Sequence, residues 1–303
     1  MSSLTIEVLY PEFANLFGEG ANPEYLVRAM RESGTDVTVL YTALDETPRF
    51  LSGDVDFAYL GSMTENAQRL VADTLQPYRQ QIFARIKAGQ FFLATGNAVE
   101  IFSDGMISAE LGGFEGLGLI RTRAHLDVWH RHNSFFLGEW ADAPESAAGG
   151  FGDGGYYTES GNDVSDDHGS GHTIQIVGFK SQFGHSRSSD GTAPQAASGF
   201  TLKPLFRTVR GVDFDGTEVE FGNLRSPSSG TAKPWGEGVR IHNFMGTYLT
   251  GPLLILNPPF TKWLMRSLGV DHPHLPFEEA AFDSYHTRIA DFHDPARHAV
   301  LKS

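Results

Sequence analysis

Residues 91–102, FFLATGNAVEIF, run from an apolar strand pattern through Thr95, Gly96 and Asn97 into a helical pattern. A strand that turns tightly into a helix is where hydrolases present a nucleophile, with backbone N–H groups nearby to stabilise an oxyanion. Nucleophilic chemistry at such an elbow needs a thiol or hydroxyl with a base beside it. Here the centre of the turn is Gly96, which has no side chain, while Thr95 and Asn97 should project away from the position the elbow presents. The chain contains no cysteine, which excludes thiolate nucleophiles, thiolate metal sites and disulfides together.

Histidines recur at His125, His130 and His132, at His168 and His172, and at His272 and His274, with Asp163, Asp166 and Asp167 beside His168. Imidazole and carboxylate groups can hold a divalent metal, but this spacing matches no established ligand motif, and solvated Gly/Asp/His loops are the plainer expectation. Trp129, Phe135, Phe136 and Trp140 cluster with Arg131 and His132. They read as an amphipathic strand with core aromatics, or else as a pocket or partner surface. Arg121, Arg123 and Asp127 read as a solvated charged face.

The elements that must position these residues begin with a strand at 4–10. A helix follows at 23–33, with Asn22 as N-cap and Pro23 at its first position. Strands are expected at 36–42, 55–60 and 91–95. A long helix spans 64–88, with Leu70, Leu75, Tyr78, Ile82, Phe83 and Ile86 facing the core. Alternation of strand and helix over the first hundred residues implies βαβ units and a parallel sheet. Later strands at 174–179, 200–208, 217–221 and 239–244 are expected to be partly antiparallel, with Asp215 and Gly216 marking a hairpin turn. Helices should follow at 258–268 and 276–290. The reading is a single α/β domain over 1–303: a mostly parallel sheet flanked by helices, with an antiparallel extension. Gly/Ser/Asp-rich insertions occupy 141–172 and 184–199, and a helical tail occupies 271–303, with Phe277, Ala281, Phe282, Tyr285 and Ile289 at helical spacing. That tail either packs on the body or docks another subunit.

A net charge of −14 argues against nucleic acid or anionic membrane as a partner. No apolar run approaches a membrane span, and the first residues lack a signal-peptide pattern, so a cytoplasmic location is expected. No GxxxxGK[ST] motif occurs, so no P-loop is expected and no cofactor is implied.

Several segments together resemble class I glutamine amidotransferase domains, of the flavodoxin-like cobyric acid synthase and lipid II isoglutaminyl synthase type. LYPEFANLFGEGAN (9–22) resembles the start of that glutaminase subunit. DFAYLGSMTENAQ (56–68) stands at the place of the family's glycine-rich oxyanion loop, with Gly61 and Gln68 matching. FFLATGNAVEIF stands at the place of Leu-x-x-Cys-Gly-Gly-Tyr-Gln. FEGLGLI (114–120) and IVGFKSQFGHSR (176–187) resemble downstream segments. MGTYLTGPLLILNPPFTKWLM (245–265) resembles Gly-Thr-Tyr-Leu-His-Gly-Pro closely.

The resemblance implies a catalytic position at Gly96 and a base position at Thr250, neither of which carries the required group. A threonine hydroxyl cannot shuttle a proton near neutral pH as imidazole does. The former oxyanion loop is Gly61, Ser62 and Met63, with Asn97 beside it; Gln68, Lys180, Gln182 and Tyr248 are candidate pocket residues. Lys180 replaces a family acid and reverses the local charge. His242 lies eight residues before Thr250 and could come near as a substitute base, but a core or surface histidine with no such role is the plainer reading. No glutaminase activity is expected. The implied roles are a non-catalytic amidotransferase-like subunit of a Mur-ligase-like, ATP-binding, peptidoglycan-amidating partner, a small-molecule binding module in the former glutamine pocket, or an enzyme with an altered nucleophile.

Overall fold

Apolar residues alternate along the first strands and divide between two faces, and the chain wraps helices over both. A computed structural model of the chain describes residues 3–140, 173–221, 223–226, 234–298 and 300–301. In chain order the first half contains β1 (Ser3–Leu9), α1 (Ala21–Glu32), β2 (Asp36–Thr42), β3 (Phe57–Leu60), α2 (Glu65–Leu75), α3 (Arg79–Lys87) and β4 (Phe91–Thr95). A 3₁₀ helix, Gly96–Phe102, follows directly. Short strands come next: β5 (Met106–Ser108), β6 (Gly112–Phe114) and β7 (Arg123–Leu126), then the long β8 (His132–Trp140) and β9 (Ile174–Gln182). After these come β10 (Gly184–Arg187), β11 (Arg207–Val212), β12 (Glu218–Glu220), β13 (Asn223–Ser226), β14 (Val239–Ile241) and β15 (Phe244–Thr247). The chain finishes with α4 (Leu253–Leu256), α5 (Pro258–Ser267), α6 (Glu278–His293) and β16 (Val300–Leu301).

The central sheet has the order β2-β1-β3-β4-β15-β14, parallel except for the β14–β15 hairpin. The chain is therefore mixed α/β, with the strand order 2-1-3-4-5 of a doubly wound sheet carried through its fifth strand by β15. Ile6, Val8, Phe57, Tyr59, Leu93 and Met245 face one core with α1, α4 and α5. Ala58, Leu60, Phe92, Ala94 and Phe244 face the other, with α2, α3 and the 3₁₀ helix. A four-stranded sheet, β10-β7-β5-β6, and a larger antiparallel sheet built on β8 form the extension. β9 lies along one edge of β8, and β11 and β16 pair with separate stretches of it. No helix among the described residues is long and apolar enough to cross a membrane.

Several expectations are corrected. The helix over 64–88 is broken into α2, a 3₁₀ turn (Gln76–Tyr78) and α3. Pro77 has no N–H to give the i−4 carbonyl, and its ring clashes with a continuing helix. Leu70 is exposed, whereas Leu75, Ile82 and Ile86 are buried. The segment 239–244 is two strands with a turn between them, where His242 has φ +52. Segment 200–208 enters a strand only at Arg207. The first residues of the 184–199 insertion are β10, paired antiparallel with β7. The tail is helical only to His293, and its end returns as β16 on β8. Within it Tyr285 is buried and Phe277 is exposed. The 141–172 insertion, with His168, His172 and the neighbouring aspartates, lies outside the described residues.

Candidate functional site

The carboxyl ends of β1, β3, β4 and β15 meet where the strand order reverses, the usual place for a site in an open α/β sheet. β4 ends at Thr95, and Gly96 then takes φ +59, a left-handed conformation that glycine adopts without strain. A Cβ placed on Gly96 would lie 2.5 Å from Ser62 Cβ and 3.3 Å from Thr250 Cγ2. The loop after β3 and the loop after β15 thus close over the elbow. The space into which a side chain at 96 would grow is occupied by Ser62.

The neighbouring side chains hold this arrangement. Asn97 turns back onto the 61–63 loop: its Oδ1 accepts from the Met63 N–H at 3.0 Å, and its Nδ2 donates to the Met63 carbonyl at 2.7 Å. The Met63 N–H is therefore spent on the protein. Ser62 Oγ donates to the Leu16 carbonyl at 2.9 Å. Thr250 donates from both its N–H and its hydroxyl to the Phe179 carbonyl, at 2.9 and 3.1 Å. Neither hydroxyl has an imidazole beside it among these contacts. Met63 is fully buried in the core, and its bulk points away from the cleft.

A buried carboxyl that the sequence did not mark stands beneath the elbow. Glu19 is fully buried, accepts from the Thr95 hydroxyl, and lies against Gly61. Burial pushes its carboxyl up to about 7, opposed by hydrogen bonds from Thr95 and from Ser62 and Gly251. Tyr59 connects it to α1: the Tyr59 hydroxyl contacts Thr95 Oγ1 at 2.8 Å and accepts from Asn22 Nδ2 at 3.0 Å. Asn22 Oδ1 accepts from the Leu254 N–H at 2.9 Å. Asn22 therefore sits inside the first turn of α1 as a tertiary clamp, not as its N-cap; Gly20 holds that place, with its N–H on Asn15 Oδ1.

Beside the elbow lies a cleft of about 470 Å³, including its open mouth. Ser62, Gln68, Gly96, Asn97, Gln182, Tyr248 and Thr250 line it, joined by Glu65, Glu100 and Arg131 and by apolar walls from Leu16, Phe17, Leu126 and Phe183. Glu100 is buried at its floor, accepting from Gln68 Nε2 at 2.9 Å and from the Tyr248 hydroxyl at 2.8 Å. Burial raises its carboxyl to about 7, opposed by those two hydrogen bonds and assisted by the charge of Glu65. Arg131 lies at the mouth, its guanidinium over the Phe183 ring at 4.3 Å and donating to Ser181 Oγ at 3.1 Å.

Two candidates are placed elsewhere. Lys180 does not line the cleft: it is buried behind Tyr248, in an ion pair with Glu237 at 2.5 Å, and also donates to the Val212 and Asp213 carbonyls. Its charge is neutralised within the core and so does not reverse the charge of the site. His242 is exposed in the turn that opens β15, and β15 runs parallel to β4 with Phe244 opposite Phe92. It therefore sits at the amino ends of these strands, away from Gly96 and Thr250. A substitute base at His242 is excluded by this register. Phe135 contacts Phe179 and Phe292, while Phe136 and Trp140 are core residues; Trp129 is exposed. Among the described residues no group of three or more His, Cys, Asp or Glu side chains is placed to hold a metal ion.

Glu19 and Glu100 stand inside segments that resembled a known family, but nothing in their spacing marked them as buried. Arg131 was legible only as part of an aromatic cluster.

No protein-family model matches the sequence, and no curated protein matches it. Among solved structures the chain is similar to a glutamine amidotransferase at 9% identity and TM-score 0.42, over 87% of this chain and 98% of the other. It is similar to a glutamine amidotransferase from Thermotoga maritima at 9% identity and TM-score 0.38, over 97% and 87%. A third is the glutaminase domain of a Trypanosoma brucei CTPS with bound acivicin, at 8% identity and TM-score 0.39, over 90% and 96%.

Proposed function

We propose that this chain is a glutamine amidotransferase-like protein that does not hydrolyse glutamine and instead holds a small polar ligand in the cleft beside the elbow. The observation that carries this reading is the contact at Gly96: Ser62 Cβ stands 2.5 Å from the place where a side chain at 96 would begin. Covalent catalysis on an amide needs an attacking atom there, a proton acceptor at its side, and free N–H groups for the oxyanion. Gly96 supplies no atom, Thr250 donates to a carbonyl, and the Met63 N–H is bonded to Asn97. An altered hydroxyl nucleophile is disfavoured for the same reason, because Ser62 Oγ is turned onto the Leu16 carbonyl. The lining supports ligand binding, since Ser62, Gln68, Asn97, Gln182, Tyr248 and Arg131 bring polar groups to one narrow, open cleft with apolar walls.

In this reading the protein serves as the non-catalytic subunit of a Mur-ligase-like, peptidoglycan-amidating enzyme. That partnership rests on the sequence resemblance, in particular on residues 245–265.

Ammonia release from glutamine tests the catalytic part. The protein should release none above a buffer control, and Gly96→Cys should stay inactive, because Ser62 fills the space and position 250 offers no imidazole. Glutaminase turnover by the unaltered protein, or its gain in Gly96→Cys alone, would overturn the reading. Co-purification from the native host tests the partnership, with a ligase expected in the complex.

A further inference from the structure

The two edges of the central sheet are treated differently. At one edge β14 is three residues long, and the 203–206 segment pairs with it: the N–H groups of Lys203 and Arg240 donate to each other's carbonyls. At the other edge β2 runs for seven residues, in unbroken register with β1, and pairs with no other strand among the described residues. An edge strand offers unpaired N–H and C=O groups to another strand, and proteins usually blunt it with Lys, Pro, a bulge, short length or a cover. The β2 sequence, DVTVLYT, has no Lys, Pro or Gly, and five of its seven residues are Val, Thr or Tyr, which favour strand.

The main chain shows which groups are on offer. The Thr42 carbonyl accepts from the Tyr10 N–H, on the β1 side. Alternate residues of a strand in a parallel ladder share a direction, so the backbone groups of Asp36, Thr38, Leu40 and Thr42 face β1 and those of Val37, Val39 and Tyr41 face outward. The Val37 carbonyl accordingly accepts from Arg31 Nη2 at 2.8 Å, and a carbonyl has a second lone pair to share. Tyr41 is 61% exposed. A groove runs along this edge, floored by Val27, Val39 and Tyr41 and flanked by Glu24, Arg28 and Arg31 of α1. On the same flank Arg28 lies over the exposed Phe277 ring at 5.0 Å, which adds apolar surface beside α1.

This surface is complementary to itself. A two-fold axis perpendicular to the sheet at Val39 sets two β2 strands antiparallel, with Val39 opposite its own copy and Val37 opposite Tyr41. Those are the residues whose backbone groups face outward, and the Val–Tyr pairing is a favourable cross-strand contact. Asp36, the only charge on the strand, falls opposite Thr42, so no like charges meet. The same axis keeps both α1 helices on one face, antiparallel to each other. Arg31 is level with Val37, which it bonds. Glu24 lies seven residues earlier, about 10 Å along the helix, which is about three residues of strand. It is therefore level with Leu40, and the rotation turns it toward Arg28 and Arg31 of the second copy. An interface between identical chains needs this kind of self-matching patch.

We infer that the occupant of the β2 edge is a second copy of this chain, joined β2 to β2 in one continuous sheet, with Glu24 of each copy paired to Arg28 and Arg31 of the other. None of these residues lines the cleft, so the inference stands apart from what the cleft binds.

Sedimentation velocity of the full chain across about 1 to 100 μM protein tests it. The chain should sediment as a dimer at the upper concentrations. Tyr41→Lys, at an exposed position, should raise the dissociation constant roughly tenfold or more with the circular dichroism spectrum unchanged. Glu24→Arg and Arg28→Glu should each weaken self-association, and an equal mixture of the two variants should recover the dimer, because the mixed pair again sets opposite charges together at both contacts. The chain has no cysteine, so a single introduced thiol reports one contact. Val39→Cys should form a disulfide-linked dimer on mild oxidation, since the Cα atoms of a hydrogen-bonded antiparallel pair lie about 5.5 Å apart. Asp73→Cys, exposed on α2 at the other face of the sheet, should not. A chain that stays monomeric throughout overturns the inference and leaves the edge to a strand of a different protein. A dimer that Tyr41→Lys does not weaken and Val39→Cys does not cross-link overturns it as well, by placing the interface elsewhere.

Discussion

At Gly96 the backbone sits at φ +59 and an added Cβ would meet Ser62 at 2.5 Å, so two separate obstacles oppose any side chain there. Gly96→Ala should lower stability by roughly 2–4 kcal/mol, combining the left-handed penalty with overpacking. In a Ser62→Gly background the packing part should vanish and only the backbone part remain; chemical denaturation of the four variants measures the coupling. Glu100 supplies a second prediction at this scale. Its folded value of about 7 lies above its ordinary 4.5, so the native state binds a proton that the unfolded chain has released between those values. The resulting contribution is fully present below about pH 4.5 and is lost as pH rises through 7. Glu19 adds to the same slope, with its own value raised to about 7. Glu100→Gln should flatten the fall in unfolding free energy across that window, measured as denaturation midpoints at a series of pH values.

At the scale of elements, short polar side chains hold segments distant in sequence. Asn257 is fully buried between α4 and α5. It accepts from the Val177 N–H at 2.8 Å and donates to the Val177 and Leu253 carbonyls at 2.8 and 2.9 Å. Asn257→Ala should therefore destabilise the protein by roughly 2–4 kcal/mol in urea denaturation, because it leaves buried backbone groups of β9 unpaired. Local patterns marked many elements correctly. Strand β2 covers the span that alternation assigned, and β4 ends at the residue before the elbow glycine. Patterns misled where a local signal competed with a distant partner. Asn22 has the chemistry of an N-cap, yet Tyr59 and Leu254 claim its amide. The helix over 64–88 kept its apolar period across Pro77, and the missing N–H decided the break.

Across the whole molecule, the antiparallel extension is joined to the central sheet through the buried Lys180–Glu237 pair. Glu237 also accepts from Thr247 Oγ1 at 2.9 Å and from the Tyr248 N–H at 2.8 Å, so the pair connects β9 to the end of β15. Lys180→Met should cost about 3–5 kcal/mol by leaving the Glu237 carboxylate unpaired, and adding Glu237→Gln should restore most of that loss in the same denaturation assay. The absence of sulfur, the glycine at the elbow, the threonine at 250 and the alternation of strand and helix were all legible in the order of residues, because each is a matter of residue identity or short-range period. The side chain that fills the elbow, the burial of Glu19 and Glu100 and the removal of Lys180 from the cleft emerged only on folding. Each depends on which loops converge at the carboxyl ends of the sheet, and burial and hydrogen-bond pairing belong to that convergence, not to any one segment.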